Sequence, residues 1–331
     1  MRRLPAVTAA YAACHFMVDF GCAYAYFSAC QQGSLGFLLY NFCAFALQMP
    51  LGLLADRRGR GLGFAVLGGV LVSGMCFLPA FGLGGCVVLG LGNSLFHLGG
   101  GLDVLRLSGD RAGPLGVFVS PGALGLYLGT LAGQTGFPPL AAGSLVLLFT
   151  LIPLFVCTPY PLPRSVPVTL PPRWVLPQAA LLFLVVVLRS GGGMLGTFSW
   201  KTGLFLPLAT VAVVLGKTAG GFSVDRFGPR VTALVSLLGA GLLFALGPDS
   251  PAAGLMALFF FNMTMPLTLW ALARRMPGCP AFSFGLLTFA LFLGFLPVYL
   301  GWDSLSGGAL GVLSLGSCVL LLAGLGRRYK P

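Results

Sequence analysis

Two ionisable side chains interrupt a long apolar run near the start of the chain: His15, and one helical turn later Asp19. In a helix, Tyr11, His15, Asp19, Cys22 and Tyr26 fall on one stripe. A carboxylate beside an imidazole can exchange a proton, because burial and pairing move either pKa toward neutrality. The structural alternative is an interhelical hydrogen bond. Arg189 lies comparably deep in a second apolar run and is followed by Gly191-Gly192-Gly193, which either loosens that helix around a cargo or lets a neighbour pack closely. Asn93 and Asn262 could bond a substrate or equally a neighbouring helix. His97 reads as a packing histidine, Lys217 as a snorkelling one. With two histidines in the chain, no metal site is expected. The sequence holds no Walker loop, no H-E-x-x-H and no G-x-S-x-G turn, so neither ATP hydrolysis, enzymatic activity nor a bound cofactor is expected.

The elements that must position these residues are membrane spans. Of the 331 residues, 57% are hydrophobic and 8% charged, too little polar surface for a soluble chain of this length. Apolar stretches of about 20 residues, enough for a helix to cross the hydrocarbon core, recur throughout. The spans fall near 5–29, 34–54, 61–79, 82–104, 113–134, 139–158, 174–196, 203–222, 230–247, 252–273, 281–300 and 306–326. The fold class is therefore all-α integral membrane, with twelve transmembrane helices. The net charge of +12 does not mark a nucleic-acid binder. All but three of the 19 Lys and Arg residues (Arg189, Lys201 and Lys217) lie at one side of the alternating spans, which places both termini in the cytoplasm. A cleaved N-terminal signal is not expected, since His15 and Asp19 break the apolar core that it needs. The nine cysteines, mostly inside spans, read as free thiols.

The proline-rich stretch from Pro159 to Arg173 divides six spans from six: an N-terminal bundle over 1–158, a cytoplasmic linker over 159–173 and a C-terminal bundle over 174–331. Each half begins on the basic side, which predicts a parallel repeat. Gly52-Leu-Leu-Ala-Asp56-Arg57-Arg-Gly59 is echoed by Gly221-Phe-Ser-Val-Asp225-Arg226-Phe-Gly228 at an offset of 169 residues. The same offset relates Asn93 to Asn262, Arg106 to Arg275 and Gly116 to Gly285. Asp56 and Asp225 stand where a carboxylate can accept hydrogen bonds from the free N–H groups of a helix start, here the starts of spans 3 and 9.

The duplicated G-x-x-x-D-R-x-G resembles the signature of the major facilitator superfamily. More finely, His15-Phe16-Met17-Val18-Asp19 and Gly92-Asn93-Ser94-Leu95-Phe96-His97 resemble stretches of fosmidomycin-resistance-type efflux proteins, and the glycine ladder after Pro121 resembles the fifth helix of facilitator antiporters. The resemblance implies two six-helix repeats working by rocker-switch alternating access. It implies that Gly52, Asp56, Arg57, Gly59, Gly221, Asp225, Arg226 and Gly228 form a conformational latch, and it allows Asp19 either to pair with Arg189 or to be bridged to it by an anionic substrate.

The expected function is secondary active transport of a small solute, proton-coupled through Asp19 and His15, in the direction of efflux, with Arg189, Asn93 and Asn262 binding the substrate. The alternatives are uptake of an anionic metabolite through Arg189 and, from another class, a non-transporting receptor or scaffold on the same fold. The expected partners are a small molecule, protons and the lipid bilayer, with no nucleic acid, for a monomer in the plasma membrane.

Overall fold

The computed structural model describes residues 3–30, 32–59, 61–158, 168–169 and 171–326. Twelve apolar helices follow one another among these residues: α1 Arg3–Ala29, α2 Gly33–Arg58, α3 Gly61–Cys76, α4 Leu83–Ser108, α5 Gly113–Gln134, α6 Pro139–Cys157, α7 Arg173–Leu195, α8 Phe205–Phe227, α9 Pro229–Leu246, α10 Pro251–Arg275, α11 Pro280–Tyr299 and α12 Gly307–Leu325. The chain is a multi-pass, all-helical membrane protein. The helices α2, α4, α8 and α10 run two to five residues beyond the apolar stretches that announce them. Hydropathy marks where the hydrocarbon ends, whereas Ala-Asp-Arg-Arg and similar runs continue the helix into the headgroup region. Of the basic residues that set the sidedness, Arg2, Arg60, Arg164, Arg327, Arg328 and Lys330 lie outside the described residues, as does most of the expected linker.

The chain forms two compact units, and neither is a simple half of the sequence. One comprises Met1–Gly109, Val117–Thr169 and Gly278–Phe289; the other comprises Asp110–Gly116, Leu170–Pro277 and Ala290–Pro331. In the first, α1 is the most enclosed span. Its neighbour α5 presents Gly125, Gly129 and Gly133 to it, and a Cβ on Gly129 or Gly133 would come within 2.8 Å of the α1 backbone at Phe20 or Tyr24. The glycine ladder is thus a surface for close helix packing. In the second unit, Gly294 of α11 occupies the repeat position of Gly125 and packs as closely on α7, 2.5 Å from the Val187 carbonyl by the same measure.

Three prolines shape the helices near the polar residues. Pro50 has no N–H for the carbonyl of Ala46, and α2 widens to a π turn over Phe42–Ala46 just before it. Pro121 interrupts α5 between Val119 and Gly122; the Val117 carbonyl, which a residue with an N–H would have bonded, accepts the Ser120 hydroxyl at 3.2 Å. Pro266 does the same to α10, which breaks after Asn262 and restarts at Thr264. Each break in α5 and α10 frees a nearby carbonyl for a polar side chain.

Candidate functional site

In the first unit, α1 and α4 bring together the polar residues that the sequence scatters over more than 80 positions. Asp19, His15 and His97 are only 6%, 5% and 9% exposed. The Oδ2 atom of Asp19 lies 3.1 Å from His15 Nε2, and Oδ1 lies 3.7 Å from His97 Nε2. The two imidazoles meet Nε2 to Nε2 at 2.8 Å. Asn93, one turn before His97, donates from Nδ2 to Asp19 Oδ1 at 3.2 Å and to Cys22 Sγ at 3.4 Å. Each imidazole is held from behind by a carbonyl: His15 Nδ1 lies 2.7 Å from Phe118 O, beside the proline break in α5, and His97 Nδ1 lies 2.9 Å from Asn93 O. The near atoms of His15, Asp19 and His97 all fall within 4.8 Å of one another, so the three form one ionisable centre. Gly122 leaves the room that they need, because a Cβ there would run into His15 Nε2 and Asp19 Oδ2.

The structure places His97, buried and hydrogen-bonded at both ring nitrogens, beside His15 and Asp19, and Asn93 bonds the Asp19 carboxylate. Sequence reasoning passed over Asp103. Tyr11, one turn before His15, donates to Asp103 Oδ2 at 2.5 Å, and both side chains are buried. The signal available was an acid at the end of the fourth apolar stretch, 82–104.

In the second unit, Arg189 is 8% exposed. Its Nη2 donates to the Phe261 carbonyl at 2.7 Å, next to the break in α10, and its guanidinium lies 5.0 Å from the centre of the Phe261 ring. Its Nε is buried with no hydrogen-bond partner. Asn262 is half-buried and turned back to its own helix, donating to Leu258 O at 2.9 Å. Lys201, between α7 and α8, is half-buried, and burial lowers its pKa.

The repeated motif has a geometry that its sequence did not reveal. Asp56 does not cap α3. It accepts the N–H groups of Ala281 and Phe282, at 2.9 and 2.8 Å, at the start of α11. Asp225 likewise accepts those of Ala112 and Gly113, at 2.6 and 2.9 Å, at the start of α5 rather than α9. The free N–H groups of a helix start and its positive dipole end make this a favourable seat for a carboxylate. One turn earlier on the same face, Gly52 and Gly221 admit the incoming backbone: a Cβ at either would stand 2.6 Å from the carbonyl of Ala281 or Ala112. The closing glycines Gly59 and Gly228 have positive φ, 67° and 83°, which glycine takes without strain; Gly59 forms a left-handed turn, whereas Gly228 is extended with ψ of 160°. Cys279, in the turn before α11, has its thiol pushed up to about 11, by burial first and by Asp56 second. Arg57 is exposed, and Arg226 is exposed with its guanidinium 5.7 Å from the Phe227 ring centre. The side chain that binds this turn is Arg106, which donates to Gly59 O at 3.0 Å.

No protein-family model matches the chain, and no curated protein matches it in sequence. Solved structures do. The chain is similar to the major facilitator superfamily transporter FucP in its outward conformation, with a TM-score of 0.68 and 13% identity over 98% of this chain and 99% of that one. It is similar also to a variant of the E. coli fucose:proton symporter FucP, with a TM-score of 0.63 and 14% identity over 98% of both chains. At these identities the likeness establishes the fold, which is that of the major facilitator transporters. Both structures are of a transporter.

Proposed function

We propose that the chain is a proton-coupled secondary transporter that exports a small solute by alternating access, working as a monomer in the plasma membrane with both termini in the cytoplasm. The observation that carries this reading is the enclosed Asp19–His15 pair in α1. A carboxylate deep in a span costs roughly 2.5–3.5 kcal/mol or more unless it is paired or protonated, so such residues persist mainly where a function needs them. A basic neighbour at 3.1 Å gives Asp19 a partner with which to trade a proton. The whole-chain likeness to a fucose:proton symporter supports transport and proton coupling together; the stretches around His15 and Asn93 that resemble fosmidomycin-resistance-type proteins support the outward direction. The paired motifs supply a latch, since each carboxylate grips a helix start contributed by the other sequence repeat.

The test is flux in reconstituted vesicles. With an imposed pH gradient, a panel of labelled solutes should include at least one that moves only with the gradient, and Asp19→Asn should abolish its accumulation while leaving exchange. Unchanged accumulation in that variant removes Asp19 from coupling. A second reading, uptake of an anionic solute, rests on Arg189, whose partnerless Nε is a free donor for a carboxylate or similar group.

A further inference from the structure

The two imidazoles face each other in a way that neutral rings cannot sustain. A carbonyl oxygen only accepts, so the nitrogen that faces Phe118 O in His15, and the one that faces Asn93 O in His97, must each carry the hydrogen. With both Nδ1 atoms protonated, neutral rings would present two bare lone pairs to one another across the 2.8 Å between the Nε2 atoms. The Asp19 carboxylate adds a third acceptor at 3.1 Å from His15 and 3.7 Å from His97. Three acceptors converging inside a low-dielectric span repel unless a cation lies among them.

We infer that His15 and His97 share one proton between their Nε2 atoms, held by Asp19, so that the proton-binding site is a three-residue centre spanning α1 and α4 rather than Asp19 with one neighbour. This deepens the proton-coupling reading and rests on it for its role in transport. The proton sits on His15 Nε2, from which it reaches both His97 Nε2 and Asp19 Oδ2. His97 Nε2 is the acceptor, and Asn93 fixes the far carboxylate oxygen. The centre is then neutral as a whole: one carboxylate, one imidazolium, one neutral imidazole. When the proton leaves, the lone pairs oppose, and α1 and α4 can no longer keep this contact. The other titratable groups close to the centre are Cys22 on α1, Tyr40 on α2 and, through Tyr11, Asp103 on α4; α5 contributes the Phe118 carbonyl and ring and the gap at Gly122.

The chain contains only these two histidines, so histidine labelled with 15N reports on this site alone. The experiment uses the full chain, purified through a histidine-free tag, in lipid nanodiscs. Expected are two protonated Nδ1 nuclei and a scalar coupling between the two Nε2 nuclei across the hydrogen bond, which disappears once the shared proton is removed. Asp19→Asn, which removes the anion that holds the imidazolium, should abolish the coupling under conditions where the unaltered chain shows it. His97→Gln, which keeps a polar side chain, should remove the coupling and leave a single histidine signal. A bare Nδ1 on either ring, no coupling at any pH, or one equivalent of zinc per chain by elemental analysis would overturn the inference. Should the coupling be missing while Asp19→Asn still abolishes gradient-driven flux, the shared proton is wrong and the transport reading stands. The reverse result separates them the other way.

Discussion

Asp56 accepts the backbone N–H of Ala281 at 2.9 Å across 225 positions of sequence, and the repeat offset of 169 residues carries that bond, atom for atom, onto Asp225 and Ala112. The offset also maps Gly52 onto Gly221 and Phe282 onto Gly113. The G-x-x-x-D spacing thereby acquires a physical meaning. The glycine lets a helix start approach, and four residues later the acid receives its N–H groups. An anion–amide bond of this kind contributes about 1.5–3 kcal/mol.

Removing the charge should free those amides. Asp56→Asn is expected to speed hydrogen exchange at Ala281 and Phe282 by about 10-fold or more, the equivalent of that bond energy, with Ala112 and Gly113 unaffected. Asp225→Asn should do the converse with a smaller effect, because Asp225 is exposed where Asp56 is buried. Exchange measured by mass spectrometry on peptides spanning each helix start separates the two. Equal changes at both starts in either variant would mean that the bonds are not local.

Gly52→Ala should reproduce the Asp56→Asn exchange pattern although it removes no charge. The new methyl would stand 2.6 Å from a backbone carbonyl, and backbone cannot step aside as a side chain can. Gly59→Ala acts differently: it forces an alanine to φ near 67°, a left-handed conformation that costs about 1–2 kcal/mol. It should lower the melting temperature while leaving the exchange at Ala281 close to normal. A shared phenotype would contradict the separate roles given to the two glycines.

How far the sequence could be read depended on the kind of force involved. The spans were legible because hydrocarbon selects apolar length over any local detail, and the repeat was legible because Asp56 and Asp225, or Asn93 and Asn262, recur at one spacing. Partners across helices were not. His97 met His15 through the rotation of α4 about its axis, which no spacing along α1 encodes. Asp56 looked like a cap for the helix that follows it, because capping rules are local; its true partner, α11, arrives from the far end of the chain. Asn262 shared its repeat position with Asn93 yet turned back to Leu258 O, since the break at Pro266 altered α10 where α4 runs on unbroken.

The cluster makes a sharper demand on Gly122 than on its neighbours in the ladder. A methyl at Gly122 would meet the side-chain ends of His15 and Asp19, whereas one at Gly129 would meet the α1 backbone at Phe20. Gly122→Ala should therefore lose gradient-driven flux, because displaced side chains break the ionisable centre, and lose stability only through the buried groups left without partners. Gly129→Ala should lose stability, as overpacking of backbone costs about 1–3 kcal/mol. Thermal melting and vesicle flux on the two variants decide the matter; a stable, fully active Gly122→Ala would show that the centre tolerates displacement and is not the coupling site.

Arg189 sets function against stability most directly. A buried guanidinium with one carbonyl and an aromatic face for company, and with Nε unbonded, is a charge whose desolvation is only partly offset. Replacing it by an apolar residue of similar length removes that burden. Arg189→Met should raise the melting temperature, by the few degrees that correspond to about 1 kcal/mol or more, and should abolish transport of anionic solutes while sparing neutral ones. Arg189→Lys keeps the charge but loses the flat fork of donors, so it should retain the lower melting temperature and still weaken anionic cargo. A destabilised Arg189→Met with equal losses for neutral and anionic solutes would assign the arginine to holding the break in α10 through Phe261 O, and the anion-uptake reading would fall with it.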